Sequence, residues 1–144
     1  MKLIKKHWGH EIWIEDGSST PFAVKRILFL AGNRTSLQVH RYKVETNYVL
    51  SGKGKVVISA EPLDIDAFLT EAWTLDQIKL YELNCSVIKL EPNVHFSIQP
   101  GYVHRVYAET DLEFIEVSTT ELDDVIRLHD DQARGHGKIL SEHQ

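Results

Sequence analysis

The sequence predicts an all-β domain, an antiparallel sandwich or barrel, with one short helical insertion. Three observations carry this reading. Short segments rich in β-branched and aromatic residues recur along the chain. Turn signals built from Gly, Asn, Pro and Ser separate them at short spacing, as antiparallel connections require. One stretch, residues 62–83, places its apolar residues at helical rather than alternate spacing.

Taken in order, HEIWIED sets Ile12 and Ile14 in alternation against Glu11, Trp13 and Glu15, then stops at a Gly-Ser-Ser turn. FAVKRILFLAG is a second strand ended by Gly32-Asn33, and TSLQVHR, ETNYVLSG and GKVVIS follow. In PLDIDAFLTEAWTLDQIKLYEL, Leu63, Ala67, Phe68, Ala72, Trp73, Leu75 and Ile78 predict a helix or helical hairpin, capped by Asp64 or Asp66. Strands resume with CSVIKLE, VHFSI after Pro92-Asn93, HRVYAE after Pro100-Gly101, and LEFIEVST after Thr110-Asp111. The polar tail, about 121–144, is expected to hold one short C-terminal helix around Val125, Ile126 and Leu128, with a loosely held end. Cys85 sits in strand-like ELNCSVIKL and is expected to be a buried, inert thiol.

Length and charge narrow the function classes. The 144 residues suit a single domain, 1–144, and 42% hydrophobic with 26% charged residues is an ordinary globular balance. A net charge of −5 disfavours a nucleic-acid partner. No apolar run approaches membrane-spanning length, so no membrane partner is expected. MKLIKKHWGHE has lysines without a following apolar core, so the chain is expected to carry no secretory signal and to be cytoplasmic. A lone cysteine excludes an internal disulfide and any multi-cysteine zinc site.

The stretch SLQVHRYKVETNYVLSGKG carries chemistry. Gln38 and His40 are two apart on one strand and therefore face the same side. A turn over residues 41–44 brings Glu45 to the head of the next antiparallel strand, and His104 opens a strand after Pro100-Gly101. Inward residues at the mouths of neighbouring strands converge in a small barrel. Gln38, His40, Glu45 and His104 then form an N/O set for one divalent ion, with Zn, Mn, Fe, Co and Ni all open. Lys25 shares strand parity with Ala23, Ile27 and Phe29 and is expected to face inward as an anion partner; the inverted parity would turn Arg26 in instead. Lys43 reads either as a phosphate-contacting or catalytic cation or as a solvated turn lysine. Glu11 and Asn47 are candidates for the pocket rim, and Tyr102, beside the second turn, is the aromatic expected to touch a ligand. Trp8 and Trp13 are expected in the core. Arg127 and Arg134 are expected to pair with Asp123, Asp124 or Asp130, and His95, His129 and His136 to be structural or exposed.

The run Gly32-x5-Gln38-x-His40-x4-Glu45-x6-Gly52 resembles the first cupin motif, and Pro100-Gly101-Tyr102-Val103-His104 the second. The chain is similar, more closely, to the type II phosphomannose isomerase branch of cupins. HWGHEIWIED, VKRILFLAG, SLQVHRYKVETNYVLSGKG and IEVSTTELDDVIRLHDDQAR carry that resemblance, which spans nearly the whole chain apart from 62–83. It implies a double-stranded β-helix (jelly-roll) barrel, a homodimer, and metal-dependent interconversion of mannose 6-phosphate and fructose 6-phosphate through an enediolate. In that reaction Glu45 is the candidate base, Lys43 stabilises the enediolate, and Lys25 or a tail arginine holds the phosphate. The departures are Tyr42 in place of a second His, Lys43 in place of Arg, and Ala108 in place of Asn. The first two keep open a non-catalytic cupin that binds a sugar or sugar nucleotide, and a single carboxylate with two His permits a third reading, an Fe-dependent cupin oxygenase.

Overall fold

Alternating burial along nearly every strand builds two six-stranded antiparallel sheets. The structure is a computed structural model that describes residues 1–131 and, for the backbone alone, Gly137 and Lys138. The strands are β1 (Lys2–Lys6), β2 (Gly9–Glu15), β3 (Ala23–Phe29), β4 (Leu37–Val39), β5 (Glu45–Ser51), β6 (Gly54–Ile58), β7 (Ser86–Leu90), β8 (His95–Ile98), β9 (His104–Ala108), β10 (Leu112–Ser118), β11 (Ile126–His129) and β12 (Gly137–Lys138). The first sheet runs β1-β2-β3-β10-β5-β8 and the second β12-β11-β4-β9-β6-β7, so the chain crosses repeatedly between the two. This is the jelly-roll barrel expected from the sequence.

The second sheet buries both its faces. Val56 enters an interior cluster with Ile27, Phe29, Val49, Leu112 and Phe114. Its neighbour Val57 points the other way, into a second cluster with Leu37, Val39, Ile126 and Leu128. The helical insertion closes that second cluster. Helix α1 (Ile65–Thr70) is capped by Asp64, whose side chain accepts from Ala67 N–H at 3.0 Å. Helix α2 (Leu75–Leu83) starts with a capping box, in which Thr74 Oγ1 accepts from Gln77 N–H and Gln77 Oε1 accepts from Thr74 N–H. Ile65, Phe68 and Ile78 supply the buried contacts. Among the described residues the outer face of the first sheet has no such cover, and Leu3, Ile14, Tyr48 and Val117 are exposed there. Among the described residues no helix is long and apolar enough to cross a membrane.

Three expectations are corrected. The tail segment around Val125, Ile126 and Leu128 is strand β11, not a helix; Ile126 and Leu128, two apart, share one face against the helical layer, while Arg127 turns to the other and pairs across from Gln38. On strand β2 Glu11 does not stand at the pocket rim: it is buried beside Trp13, which lies in the core as expected, and Ile14 is 48% exposed. The inward carboxylate is tolerated because Trp13 Nε1 donates to it at 2.8 Å and Lys25 pairs with it at 3.5 Å. Cys85 is half-buried and lies just beyond the Asn84 cap of α2, not in a strand; burial pushes its thiol up to about 11, which keeps it inert as expected. Arg134, His136 and the tail from 139 onward lie outside the described residues.

The turn that presents His104 needs a glycine. Gly101 has φ +88°, and its N–H donates to the His40 carbonyl at 2.8 Å, which ties the two metal-motif turns together.

Because the helical insertion packs on the outer side of the second sheet, its stability role separates from the barrel interior. Ile78→Ala, at a residue 1% exposed, is expected to cost about 2–5 kcal/mol. Chemical denaturation reads that loss, and metal uptake by the folded variant is expected to stay at the wild-type level.

Candidate metal centre

Strand β4 alternates between layers. Leu37 and Val39 face the helical layer, while Gln38 faces the barrel cavity, as does His40 just past the strand end. The next turn is held by one residue. Asp124 accepts from the backbone N–H groups of Arg41 (3.1 Å), Tyr42 (2.7 Å) and Lys43 (3.0 Å), and its own carbonyl oxygen lies 2.5 Å from His40 Nδ1. Burial works to raise the Asp124 carboxyl, but the three N–H groups outweigh it and hold it below the ordinary range. The turn then delivers Glu45 to the head of β5, opposite the mouth of β9 where His104 sits.

The two imidazoles aim at one oxygen. His40 Nε2 lies 3.3 Å and His104 Nε2 3.5 Å from Glu45 Oε1, with the rings 5.0 Å apart. His104 Nδ1 lies 3.0 Å from the Tyr102 carbonyl oxygen. A carbonyl only accepts, so each ring carries its proton on Nδ1 and turns the Nε2 lone pair inward. His40 Nε2 is buried and makes no hydrogen bond. Burial, and then the His40 charge, lower His104 to about 4, which leaves it a neutral ligand near neutral pH. One ligand atom from each of His40, Glu45 and His104 lies within 4.8 Å of the others. Gln38 lines the same cavity, across the β4–β9 pair from His104, and accepts from Ser36 Oγ at 3.2 Å. An unpartnered buried Nε2, two backbone-fixed imidazoles and a carboxylate fit a divalent transition metal, and Gln38 can complete the set.

Around these four the cavity is lined with charge. Lys43 is 5% exposed, so it is not a solvated turn lysine; its Nζ donates to Glu116 Oε2 at 3.2 Å. Burial disfavours its charge, but the Glu116 and Glu45 carboxylates outweigh this and hold the ammonium above the ordinary lysine value. Burial also works against the Glu45 charge, yet Lys43 and a hydrogen bond from Glu116 pull that carboxyl well below its usual value. Lys25 faces inward as its parity predicts, but it is already engaged, 3.5 Å from Glu11, 3.9 Å from Glu116 and 4.7 Å from the Trp13 ring centre. Asn47 is buried, and its Nδ2 donates to Glu45 Oε2 at 3.4 Å. Glu11 is in the wall, not on the rim.

Tyr102 does not line the cavity. It belongs to the turn before β9 rather than to the strand, packs against the interior apolar cluster, and serves the site only through its carbonyl. Tyr42 is 68% exposed on the opposite side of its turn. Arg127 is buried and 3.7 Å from Asp130, the pairing expected for it. Sequence reading missed Glu116 and the role of Asp124. Glu116 shares parity with Leu112 and Phe114, which was the available signal, but Ile115 and Val117 make the opposite face of β10 equally apolar.

No protein-family model and no curated protein matches the chain. Solved structures do. KdgF from Halomonas sp. aligns with a TM-score of 0.60 at 16% identity, over 86% of this chain and 90% of that one. Ectoine synthase from P. lautus gives 0.60 at 13% identity, over 82% of this chain and 68% of that one. Capsular polysaccharide assembling protein CapF from Staphylococcus aureus gives 0.60 at 17%, over 89% of this chain but 31% of its own length. The chain has the cupin fold. Bacillus subtilis oxalate decarboxylase, with Mn(II) centres, matches over 89% of this chain at a TM-score of 0.63 and 14% identity, and the chain spans 30% of it.

Glu116 and His104 set opposite pH dependences on the metal-free protein. Burial, then the negative charge of Glu45, push Glu116 up to about 8 from an ordinary 4.5. The folded state holds that proton more tightly than the unfolded state, so stability falls as pH rises from about 4.5 to about 8. His104 is lowered from 6.5 to about 4, so its contribution is present above 6.5 and is lost as pH falls towards 4. The two oppose each other below 6.5, and Glu116 acts alone above it. The melting temperature of the metal-free protein is therefore expected to fall between pH 6.5 and 8, and Glu116→Gln to flatten that fall. A wild-type profile that rises across the same interval contradicts this.

Proposed function

We propose that this cupin is a metal-dependent sugar-phosphate isomerase that interconverts mannose 6-phosphate and fructose 6-phosphate. The observation that carries the reading is the convergence of the His40 and His104 Nε2 atoms on one Glu45 oxygen, each ring fixed from behind by a backbone carbonyl. A divalent ion held by His40, Glu45, His104 and Gln38 supplies Lewis acidity toward the substrate's vicinal oxygens. The remaining steps belong to side chains. The Lys43 ammonium lies within the same cavity and offsets negative charge on the enediolate oxygens. Glu45 shares the ligand point with both imidazoles and accepts from Asn47, which makes it a poor base. Glu116 lies outside the ligand set, lines the cavity, and is the carboxylate available to take a proton from C2 and return it to C1.

The cavity, about 70 Å³, is far smaller than the several hundred cubic ångströms that enclose a whole drug-sized ligand. It takes the reacting carbons, and the phosphate stays outside. Lys25, a candidate to hold that phosphate, and Arg127, a tail arginine, are both buried against carboxylates. That pairing also favours a second reading, a non-catalytic sugar-binding cupin.

Metal analysis and turnover separate these. About one transition-metal ion per chain is expected in the wild type and a large loss in His104→Ala. With metal supplied, mannose 6-phosphate is converted, and Lys43→Ala lowers kcat by about 10²-fold, the usual cost of losing an oxyanion donor. Bound metal and saturable sugar binding by calorimetry without turnover replace the isomerase by the binding protein.

A further inference from the structure

We propose that the ion-loaded cavity recognises an α-hydroxy oxyanion, with Lys43 contacting its oxyanion and Asn47 accepting from its hydroxyl. This rests on the metal reading above and names what the site selects.

Lys43 sets the first requirement. Two buried ammonium groups, Lys25 and Lys43, line the cavity. Lys25 is fully engaged, between Glu11, Glu116 and the Trp13 ring. Lys43 donates one of its three N–H groups to Glu116 and has others to give.

Asn47 sets the second requirement. Its amide orientation is fixed, because Nδ2 donates to Glu45 Oε2 and a carboxylate only accepts. That turns Oδ1 away from Glu45. Asn47 is 2% exposed, lines the cavity, and its Oδ1 has no hydrogen-bond partner. Buried acceptors of this kind are rare and call for a donor. A hydroxyl beside the oxyanion supplies one, and a plain carboxylate does not. The small cavity admits such a two-carbon unit.

The test uses glycolate, acetate and sulfate as probes on metal-loaded protein at one ionic strength. Calorimetry and tryptophan emission read binding, since Trp8 lines the cavity and Trp13 touches both Glu11 and Lys25. Glycolate is expected to bind about tenfold more tightly than acetate, one unsatisfied buried hydrogen bond's worth, and sulfate more weakly than glycolate. Asn47→Ala is expected to erase the glycolate preference while retaining acetate binding, which shows that the variant is folded. Lys43→Met weakens both carboxylates by a similar factor. Sulfate binding tighter than glycolate, or an unchanged glycolate preference in Asn47→Ala, overturns the proposal. Metal stoichiometry measured beforehand keeps the two readings apart: no bound ion removes the metal reading and this one with it, whereas stoichiometric ion with the wrong anion preference removes this one alone.

Discussion

Three consecutive backbone N–H groups, those of Arg41, Tyr42 and Lys43, end on one carboxylate, that of Asp124. The candidate centre depends on that clamp. A turn between two strands leaves its N–H groups without ladder partners, and buried ones must be satisfied. Asp124 satisfies all three at once, and the bonds are strong because the acceptor is charged. The same residue's carbonyl fixes the His40 ring. One side chain and one carbonyl therefore set the positions of His40, Lys43 and Glu45 together, although Asp124 is remote in sequence and faces no ligand itself.

A barrel interior that holds five charged side chains has little apolar area of its own at that end. Each charge survives burial by pairing: Glu11 with Trp13 and Lys25, Glu116 with both lysines. Such pairs roughly break even against their desolvation. The stabilising burial is placed elsewhere, in the interior cluster around Phe29 and Phe114 and in the layer beneath α1 and α2. The helical insertion thus lets the second sheet carry ligands on one face and a hydrophobic core on the other.

This division explains what was legible in the sequence. Gln38, His40 and Glu45 could be placed because strand parity and a short turn determine them, and Lys25 because Ala23, Ile27 and Phe29 share its parity. The two helices showed through period and caps. Where both faces of a strand are apolar, parity loses its meaning, and Glu116 was hidden on such a strand. On β2 the burial of Glu11 was not legible for a related reason: polarity marks the outside only where the interior is apolar, and here it is not. Residues 125–128 offered three apolar side chains in four, too short a run to separate a helical turn from a strand. Only pairing with β4 decided it. Asp124 could not be found by local pattern at all, since its partners lie more than eighty positions away.

Two of the three departures from the isomerase-like pattern, Tyr42 and Lys43, carry unequal weight. Tyr42 points to solvent from the back of the turn, and only its N–H takes part, through Asp124. Losing an imidazole there leaves His40, Glu45 and His104 together around one point. Lys43 is inside. An arginine at that position would present a planar fork with several fixed donors, whereas the lysine presents a compact ammonium already steered by Glu116. The change narrows what the cavity can grip, from a bidentate oxyanion to a single oxygen at a point charge. The character of the cavity therefore turns on the buried Lys43–Glu116 pair, not on the number of histidines.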